Sequence, residues 1–330
     1  MSRALRRGDL VEVKSAVEIL NTLDNDGLLE KLPFMPEMIQ YCGQRYVVDK
    51  RAEKIGDTIF YSGSRKLPNT VLLEDLRCDG SAHDGCQADC RIFWKESWLR
   101  RVQSKEKTTP ISTENENSSA KLNDIITRYI KKIKNIDGKE EEVYRCQATE
   151  LFNASIQLHL LDPIPYVREF TCGNVSFSHF LRISLKALYM EPLRKLGFFP
   201  HVFLKGKCKG STPEDELNLQ PGDWVKIKSK EEIIETLNER GSTKGLWFDR
   251  EMLAYSGGTY RVKQRIKRFI DDRNGKMIQL KREPVTLEGV VDTGNNMMRR
   301  WFCCRQIYPY WRESWLHRVN IDTPHQEEHT

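Results

Sequence analysis

The sequence predicts an α+β protein in which two copies of one mostly β unit are separated by a linker and a small helical domain. Three observations predict this class: a long internal repeat, strand-like alternation at the start of each copy, and helical apolar spacing between the copies. The repeat is the most informative of them. Gly8–Ser15 returns as Gly222–Ser229, and the closing phrase Trp94–Val102 returns as Trp311–Val319. A repeat of this length indicates two copies of a folding unit rather than stacked solenoid turns.

Each copy opens with a predicted strand and a short helix. After a Gly-Asp turn, Val11 and Val13 alternate with polar neighbours, which is the periodicity of a half-buried strand. Ser15 then stands where a helix N-cap stands, directly ahead of an apolar run, and Ser229 repeats this position in the second copy. The pattern therefore predicts a strand and a capped helix in both copies.

Each copy closes on two tryptophans four residues apart. In the first copy they are Trp94 and Trp98, and in the second they are Trp311 and Trp315. Residues at this spacing lie one above the other on a helix, so the phrase predicts a helical turn. Because the tryptophans recur unchanged, they meet a need that both copies share, and we expect them to be packed in the core.

Composition divides the chain into five segments. The residues from Ser104 to Ala120 are polar and lack apolar periodicity, which is typical of a linker. Helical apolar spacing follows, most clearly from Ser176 to Leu196. We therefore expect an N-terminal repeat at 1–103, a linker at 104–120, a helical domain at 121–214, a C-terminal repeat at 215–320 and a disordered tail at 321–330.

Two resemblances follow from these motifs. The pattern Gly-Asp-x-Val-x-Val/Ile at Gly8–Val13 and Gly222–Ile227 looks like the first strand of SH3-like barrels, including the KOW-type barrels of translation and transcription factors. This resemblance implies two SH3-like modules. The segments Leu76–His83, Cys86–Cys90 and Phe93–Glu96 resemble a motif found in a widespread set of uncharacterised bacterial proteins. That resemblance implies a bacterial protein but no particular activity.

The first copy carries a compact set of metal-ligating residues, spaced Cys78-x4-His83-x2-Cys86-x3-Cys90. Zinc is held by four thiolate or imidazole donors at the corners of a tetrahedron, about 2.0–2.3 Å from the ion. The glycines within this stretch allow a loop to fold back and bring such donors together. The spacing therefore predicts a zinc site that staples the first copy.

The second copy has lost most of this donor set. Asp292 and Ile307 stand at the positions of the first and last cysteines, no histidine lies between them, and only Cys303 keeps a thiol. The joint loss is expected if the donors act as a set. Cys42 is replaced by Ser256 in the second copy, which makes Cys42 a candidate for an additional ligand.

Zinc is not the sole interpretation of this motif. Three thiolates with one imidazole also suit iron, and Cys78–His83 is similar to the Cys-Asp-Gly-Ser-His signature of a two-iron cluster family, apart from the inserted Ala82. In a catalytic metal site, Asp79 or Asp84 could act as acid or base. A loop of reduced cysteines without any ion is the third alternative. The sequence does not decide whether the protein is an enzyme.

The second copy also carries a candidate partner-binding surface. Alternating basic residues fall on one face of a predicted strand, and Trp301 could supply a stacking face beside them. The basic residues are Arg261, Lys263, Arg265 and Lys267. They could neutralise the phosphates of a nucleic acid or meet an acidic protein, or they could simply keep an outer strand solvated and unpaired.

We expect a cytoplasmic protein without a membrane partner. The first residues run into the repeat without a charged and then apolar leader, and no apolar run approaches the roughly 20 residues of a membrane span. Nine cysteines, an odd number, favour reduced thiols or metal ligands over disulfides. These features predict a zinc-stapled binding or scaffold protein that recognises a protein or nucleic acid. A metalloenzyme or iron–sulfur redox protein is the alternative.

Overall fold

A computed structural model describes residues 3–60, 62–102, 114–136, 138–159, 162–196, 204–214, 216–296 and 300–320. The chain divides into two compact units. Unit 1 comprises Met1–Pro200, Arg268–Gln279 and Thr293–Ile307, and unit 2 comprises His201–Lys267, Leu280–Asp292 and Tyr308–Thr330. Two short segments of the second copy therefore belong to unit 1.

The described residues form a strand-rich α+β fold. The strands are β1 (Leu10–Val13), β2 (Leu28–Leu29), β3 (Leu32–Pro33), β4 (Arg45–Arg51), β5 (Ile55–Gly56), β6 (Ser64–Lys66), β7 (Thr70–Arg77), β8 (Arg91–Lys95), β9 (Leu99–Arg101), β10 (Lys131–Ile136), β11 (Lys139–Tyr144), β12 (Ile156–Gln157), β13 (Trp224–Ile227), β14 (Ser242–Thr243), β15 (Leu246–Trp247), β16 (Thr259–Arg265), β17 (Arg268–Ile270), β18 (Met277–Gln279), β19 (Val285–Leu287) and β20 (Leu316–Arg318).

The α-helices are fewer than the strands, and most of them are longer. They are α1 (Ala16–Leu20), α2 (Glu114–Thr127), α3 (Gln147–Ala154), α4 (Ile164–Thr171), α5 (Phe177–Lys195) and α6 (Lys230–Thr236). Single 3₁₀ turns span Pro36–Tyr41, Glu96–Trp98, Arg250–Tyr255 and Glu313–Trp315. Among the described residues, no helix combines the length and apolar character needed to cross a bilayer.

The main sheet of unit 1 is antiparallel, with the strand order β8-β7-β4-β1-β9. Strand β1, which lies between β4 and β9, places Val11 opposite Tyr46 on one side and opposite Arg101 on the other. Val11 and Val13 are fully buried, as the alternation predicted. A smaller sheet, β12-β6-β5, and the hairpins β2-β3, β10-β11 and β17-β18 complete the β structure described for this unit.

Unit 2 repeats four of the five strands of this sheet. Its order, β19-β16-β13-β20, matches β7-β4-β1-β9, and Val225 lies opposite Tyr260 and Arg318 in the same register. A bulge interrupts β16 between Val262 and Gln264, as one interrupts β4 at the corresponding place. The internal repeat is therefore a structural repeat, and the antiparallel, strand-rich class is the one that the alternation predicted.

Both predicted helix caps are confirmed. The Ser15 hydroxyl accepts a hydrogen bond from the Glu18 backbone N–H, and the Glu18 side chain returns to the Ser15 backbone N–H at 3.1 Å. Ser229 and Glu232 form the same reciprocal pair, with the return bond at 2.8 Å. Two of the N–H groups that a helix start leaves unpaired are thus satisfied in each copy.

The tryptophan phrase is buried as expected, but the predicted helical turn is wrong. Trp94 lies in β8, and Trp98 ends a short 3₁₀ turn. All four repeated tryptophans are 0% exposed. Pairing of β8 with β7 keeps the first tryptophan in extended backbone, because aromatic residues suit a buried strand and tertiary pairing outweighs the local helical spacing.

The segment between the copies is organised differently from the prediction. Helix α2 begins at Glu114, inside the expected linker 104–120, while residues 103–113 and the expected tail 321–330 lie outside the described residues. Leu122 and Ile126 of α2 and Leu151 of α3 are buried in the same hydrophobic cluster as Ile19 of the first copy. Because α2 and α3 complete that core, the region 121–214 does not form a separate helical body among the described residues.

A buried carboxyl fixes the turn between α4 and α5 to the main sheet. Glu169 is 1% exposed, and one of its oxygens accepts a hydrogen bond from Asn174 Nδ2 at 2.8 Å. Asn174 also bonds both the backbone N–H and the carbonyl of Arg51 in β4. Burial away from water raises the pKa of Glu169 from 4.5 to about 8.

This raised pKa predicts that unit 1 loses stability as the pH rises. The folded state holds a proton on Glu169 that the unfolded chain releases near pH 4.5, so stability is highest below that pH and falls up to about pH 8. For one group the slope approaches about 1.4 kcal/mol per pH unit. Denaturant titrations at a series of pH values measure it, and Glu169→Gln should flatten this contribution. An equally steep slope in the variant would assign it to other groups.

Candidate metal centre

The cysteine motif forms the loop between β7 and β8 in unit 1. The Cys78 N–H donates to the Cys90 carbonyl at 2.8 Å, which closes the loop at its base. At its start, Gly80 has φ +70°, and a Cβ there would lie 2.1 Å from the Cys86 carbonyl oxygen. A side chain at this position is excluded, because the backbone of the loop passes directly over it. The chain therefore folds back as the glycine pattern predicted.

His83 is brought into the interior, where both of its ring nitrogens have partners in the protein. Nδ1 lies 2.6 Å from Oε1 of Glu37, and Nε2 lies 3.2 Å from the Arg145 carbonyl oxygen. A carbonyl can only accept a hydrogen bond, so Nε2 is the donor in the contact with Arg145. Because His83 is 1% exposed and bonded at both ends, its contacts are those of a fixed structural side chain.

Glu37, Cys78 and His83 form one buried group that could hold a metal, with ligand atoms within 4.8 Å of one another. Oε1 of Glu37 joins them, since it also accepts from the Ala82 N–H at 3.2 Å and lies 3.7 Å from Cys78 Sγ. The sequence did not identify Glu37 as a site residue. Its counterpart Glu251 is equally buried in the copy that lacks the histidine, which indicates a structural need common to both copies.

Four thiols, from Cys78, Cys86, Cys90 and Cys146, line one pocket. The pocket has a volume of about 50 Å³ and also touches His83. Its remaining walls are largely apolar, with two arginines and an aspartate among them; they include Met35, Phe93, Ile270, Arg91 and Arg305. The structure thus places all four predicted ligands around one space and adds a fourth cysteine.

Cys146 was interpreted from the sequence as a buried apolar thiol, and it is indeed buried. It lies immediately before α3, and the next residue, Gln147, anchors it to β8: Phe93 N–H donates to Gln147 Oε1, and Nε2 donates back to the Phe93 carbonyl, both at 2.8 Å. Cys146 lies outside the repeat, so comparison of the two copies gave no signal for it. Only the fold brings it to the loop.

Burial raises the pKa of every thiol in the pocket. The value reaches about 12 for Cys90 and about 11 for Cys146, and it rises for Cys78 and Cys86 as well. Removal of water from the thiolate is the main cause in each case. Metal binding by these thiols therefore requires the charge of the metal to stabilise the thiolates, and it releases protons.

The fifth candidate, Cys42, does not lie on this pocket. It is half-buried against the core of the first copy, and burial raises its pKa to about 12. Cys303, the counterpart of Cys86, accepts a hydrogen bond from the Gly56 N–H at 3.2 Å. Neither thiol is placed with the four that face one another across the pocket.

The aspartates suggested as catalytic groups are engaged elsewhere. Asp79 accepts a hydrogen bond from the Ser81 N–H at 2.9 Å, which is a local turn contact. Asp84 pairs with Lys131 at 2.6 Å and accepts the hydroxyl of Tyr144. Neither carboxylate lines the thiol pocket. The geometry therefore gives these two residues structural roles in the loop.

Arg265, one of the predicted partner-binding residues, is used inside unit 2. It donates to Glu313 at 2.7 Å, to Glu283 at 3.2 Å and to the Leu219 carbonyl at 2.7 Å. The first copy has the same arrangement, in which Arg51 bonds Glu96 and the Leu5 carbonyl. Arg265 is therefore part of an ion-pair arrangement that both copies share, rather than of an exposed basic stripe. This is a correction to the predicted surface.

Trp301 is a second correction. It is 1% exposed and packs with Ile183 and Phe302 in unit 1, so it presents no stacking face to a partner. Two other tryptophans of the second copy are exposed, Trp247 at 46% and Trp224 at 39%, and Trp224 lies opposite Arg261 in the β13–β16 pairing. The signal was present in the sequence, because alternation that turns Val225 inward turns Trp224 outward.

The other predicted basic residues lie on or beside β16. Arg261 is exposed and donates to the Gly222 carbonyl at 3.2 Å, and Lys263 lies over the Tyr308 ring at 4.2 Å from its centroid. Lys267 is exposed and lies beyond the end of the strand. Of the predicted stripe, only Arg261 faces solvent within the sheet.

Comparison of the chain with protein-family models, with curated proteins and with solved structures gives no match. Two features of the structure bear on function: the thiol pocket of unit 1 and the exposed sheet face of unit 2.

Replacing Glu313 with Gln should destabilise unit 2, because the half-buried Arg265 then lacks its best-buried carboxylate. We expect the free energy of unfolding to fall by about 2–3 kcal/mol. Glu283→Gln is the matched control, since it removes a more exposed carboxylate from the same guanidinium and should cost less than about 1 kcal/mol. Denaturant titration measures both. An equal loss of unfolding free energy in the two variants would contradict the structural role of Glu313 and would assign Arg265 to the exposed basic surface again.

Proposed function

We propose that this protein is a binding protein whose first unit is stapled by a thiol-bound metal centre. The observation that carries the proposal is that Cys78, Cys86, Cys90 and Cys146 line one pocket in unit 1. Four thiols converging on a space with otherwise largely apolar walls form a donor set typical of structural zinc or an iron–sulfur cluster. The staple would join the loop between β7 and β8 to the start of α3.

A structural role suits this centre better than catalysis. Of the three aspartates in the loop, only Asp89 lines the pocket, while Asp79 and Asp84 are bonded within the loop and to the β10–β11 hairpin. A catalytic centre needs an open coordination position and an adjacent acid or base. The converging thiols instead fit a closed site, whose binding energy offsets the conformational entropy of a loop with two glycines.

Cys86→Ser should lower the metal content of the purified protein and destabilise unit 1 by roughly 3 kcal/mol or more. Hydrogen exchange followed by peptide mapping reports the two units separately, and protection should fall in unit 1 far more than in unit 2. Metal content is measured by elemental analysis of protein purified without added metal.

Cys42→Ser is the control for this variant, because Cys42 is a thiol of the same unit that lies off the pocket. It should keep the metal content of the unmodified protein. A wild-type protein without any bound metal, or a Cys86→Ser variant with unchanged stability, would remove the staple proposal.

The partner surface that we propose lies on the sheet of unit 2, which we take to be one of two SH3-like modules. In the first copy, the outward residue Glu12 pairs with Arg45 at 3.2 Å and with Arg100 at 3.3 Å. In the second copy its place is taken by Lys226, and Thr259 replaces Arg45. The face that carries paired charges in the first copy is therefore cationic in the second copy.

Aromatic and basic groups stand together on this face. Trp224 and Lys226 are two residues apart on β13 and both exposed, and Arg261 lies opposite Trp224. An exposed indole flanked by cations can stack on a base while the cations meet phosphates. The occupant that these residues favour is a single-stranded nucleic acid.

Trp224→Ala should weaken binding of a single-stranded RNA or DNA oligonucleotide of mixed sequence by 1–3 kcal/mol, or roughly 5- to 150-fold. Lys226→Glu should weaken binding and reduce the slope of log affinity against log salt by about one. Trp247→Ala is the matched control, since Trp247 is 46% exposed in the same unit but lies on a separate hairpin.

Fluorescence titration at several salt concentrations measures these affinities. Binding that does not depend on salt, or equal losses for Trp224→Ala and Trp247→Ala, would contradict a nucleic-acid site on this face. Such a result would leave an acidic protein as the partner to test on the same surface.

A further inference from the structure

We infer that the thiol pocket binds an iron–sulfur cluster through Cys78, Cys86, Cys90 and Cys146, with His83 outside the ligand set. The inference rests on the proposed metal centre and specifies its chemistry. It departs from the sequence prediction in the identity of the fourth ligand, and it selects the iron–sulfur alternative over zinc.

The spacing of the thiols distinguishes a single ion from a cluster. Four thiolates around one zinc ion, each about 2.3 Å from it, lie about 3.8 Å from one another, so any three of them form a tight set. Among the described residues, the group with three donors within 4.8 Å of one another is Glu37, Cys78 and His83. No three of the four pocket thiols meet this condition, although all four line the same pocket.

An iron–sulfur cluster is bound by thiols that surround one space without lying close to one another, and the four pocket thiols have this arrangement. In a four-iron cluster each thiolate binds a different iron, and in a two-iron cluster at most two thiolates share one iron. In neither case must three thiols approach one another closely. The pocket volume of about 50 Å³ agrees, because a cluster of several iron and sulfur atoms needs more room than a single ion.

The surroundings of Cys146 hold it in place at the pocket, as a metal ligand requires. Its backbone N–H donates to Thr149 Oγ1 at 3.0 Å, and Gln147 anchors the next residue to β8. Two buried arginines, Arg91 and Arg305, line the pocket with it and offset the negative charge of a thiolate-bound cluster. His83, by contrast, has both ring nitrogens bonded to Glu37 and Arg145.

The test is the metal and sulfide content of the full chain, purified without oxygen and, in parallel, reconstituted with ferrous iron and sulfide. We expect iron and acid-labile sulfide in equal amounts, about two to four of each per chain, with broad visible absorption. Cys146→Ser should lower the iron content several-fold. Cys172→Ser, which removes a buried thiol of unit 1 that lies off the pocket, should retain the cluster.

His83→Asn separates the two ligand sets and should also retain iron, sulfide and the absorption band in the folded fraction. Retention by Cys146→Ser with loss in His83→Asn would overturn the ligand assignment. One zinc per chain without sulfide, even after reconstitution, would overturn the cluster while the metal staple stands. A chain that binds neither zinc nor iron would overturn both proposals. The wild-type measurement remains decisive if a variant fails to fold.

Discussion

The edge-to-face packing of one phenylalanine against two tryptophans is the interaction on which each copy depends. Phe34 meets Trp98 with ring centroids 5.2 Å apart and an interplanar angle of 86°, and Phe248 meets Trp315 at 5.1 Å and 87°. The other tryptophan of each copy, Trp94 or Trp311, packs edge-to-face on the same phenylalanine ring. Such contacts contribute about 0.5–1.5 kcal/mol beyond the burial of area, and here they join the closing phrase to the first half of the unit.

This shared core leaves other parts of each copy free to diverge. Both copies share the same helix caps, the same arginine ion pairs and the same strand register. The caps are at Ser15 and Ser229, the ion pairs are those of Arg51 and Arg265, and the strands are β1 and β13. Two differences between the copies lie at positions that the aromatic core does not use. They are the loop that follows β7 in the first copy and the outward face of β13 in the second, which are the two places where we propose binding.

The sequence predicted the parts of this fold that depend on neighbouring residues. Alternation at Val11 and capping at Ser15 are local patterns, and the repeat doubled the information for each of them. The strand conformation at Trp94 was missed because pairing with β7 decides it, and that pairing joins distant segments. The same limit applies to the pocket. Cys78, Cys86 and Cys90 share a motif, whereas Cys146 reaches them only through the packing of α3.

The corresponding loop of the second copy is used for packing, which explains why it lacks the proposed metal donors. Residues 293–307 occupy the sequence position of the cysteine loop, yet they are part of unit 1. Trp301 and Cys304 are buried there, and Cys303 accepts the Gly56 N–H. A loop whose side chains fill a core cannot also turn them toward a metal, because each side chain has one direction in a packed interior. The position that holds the proposed thiol ligands in the first copy thus serves packing in the second. Cys303, the one counterpart of those ligands that is still a cysteine, is a packing residue and does not indicate a second metal site.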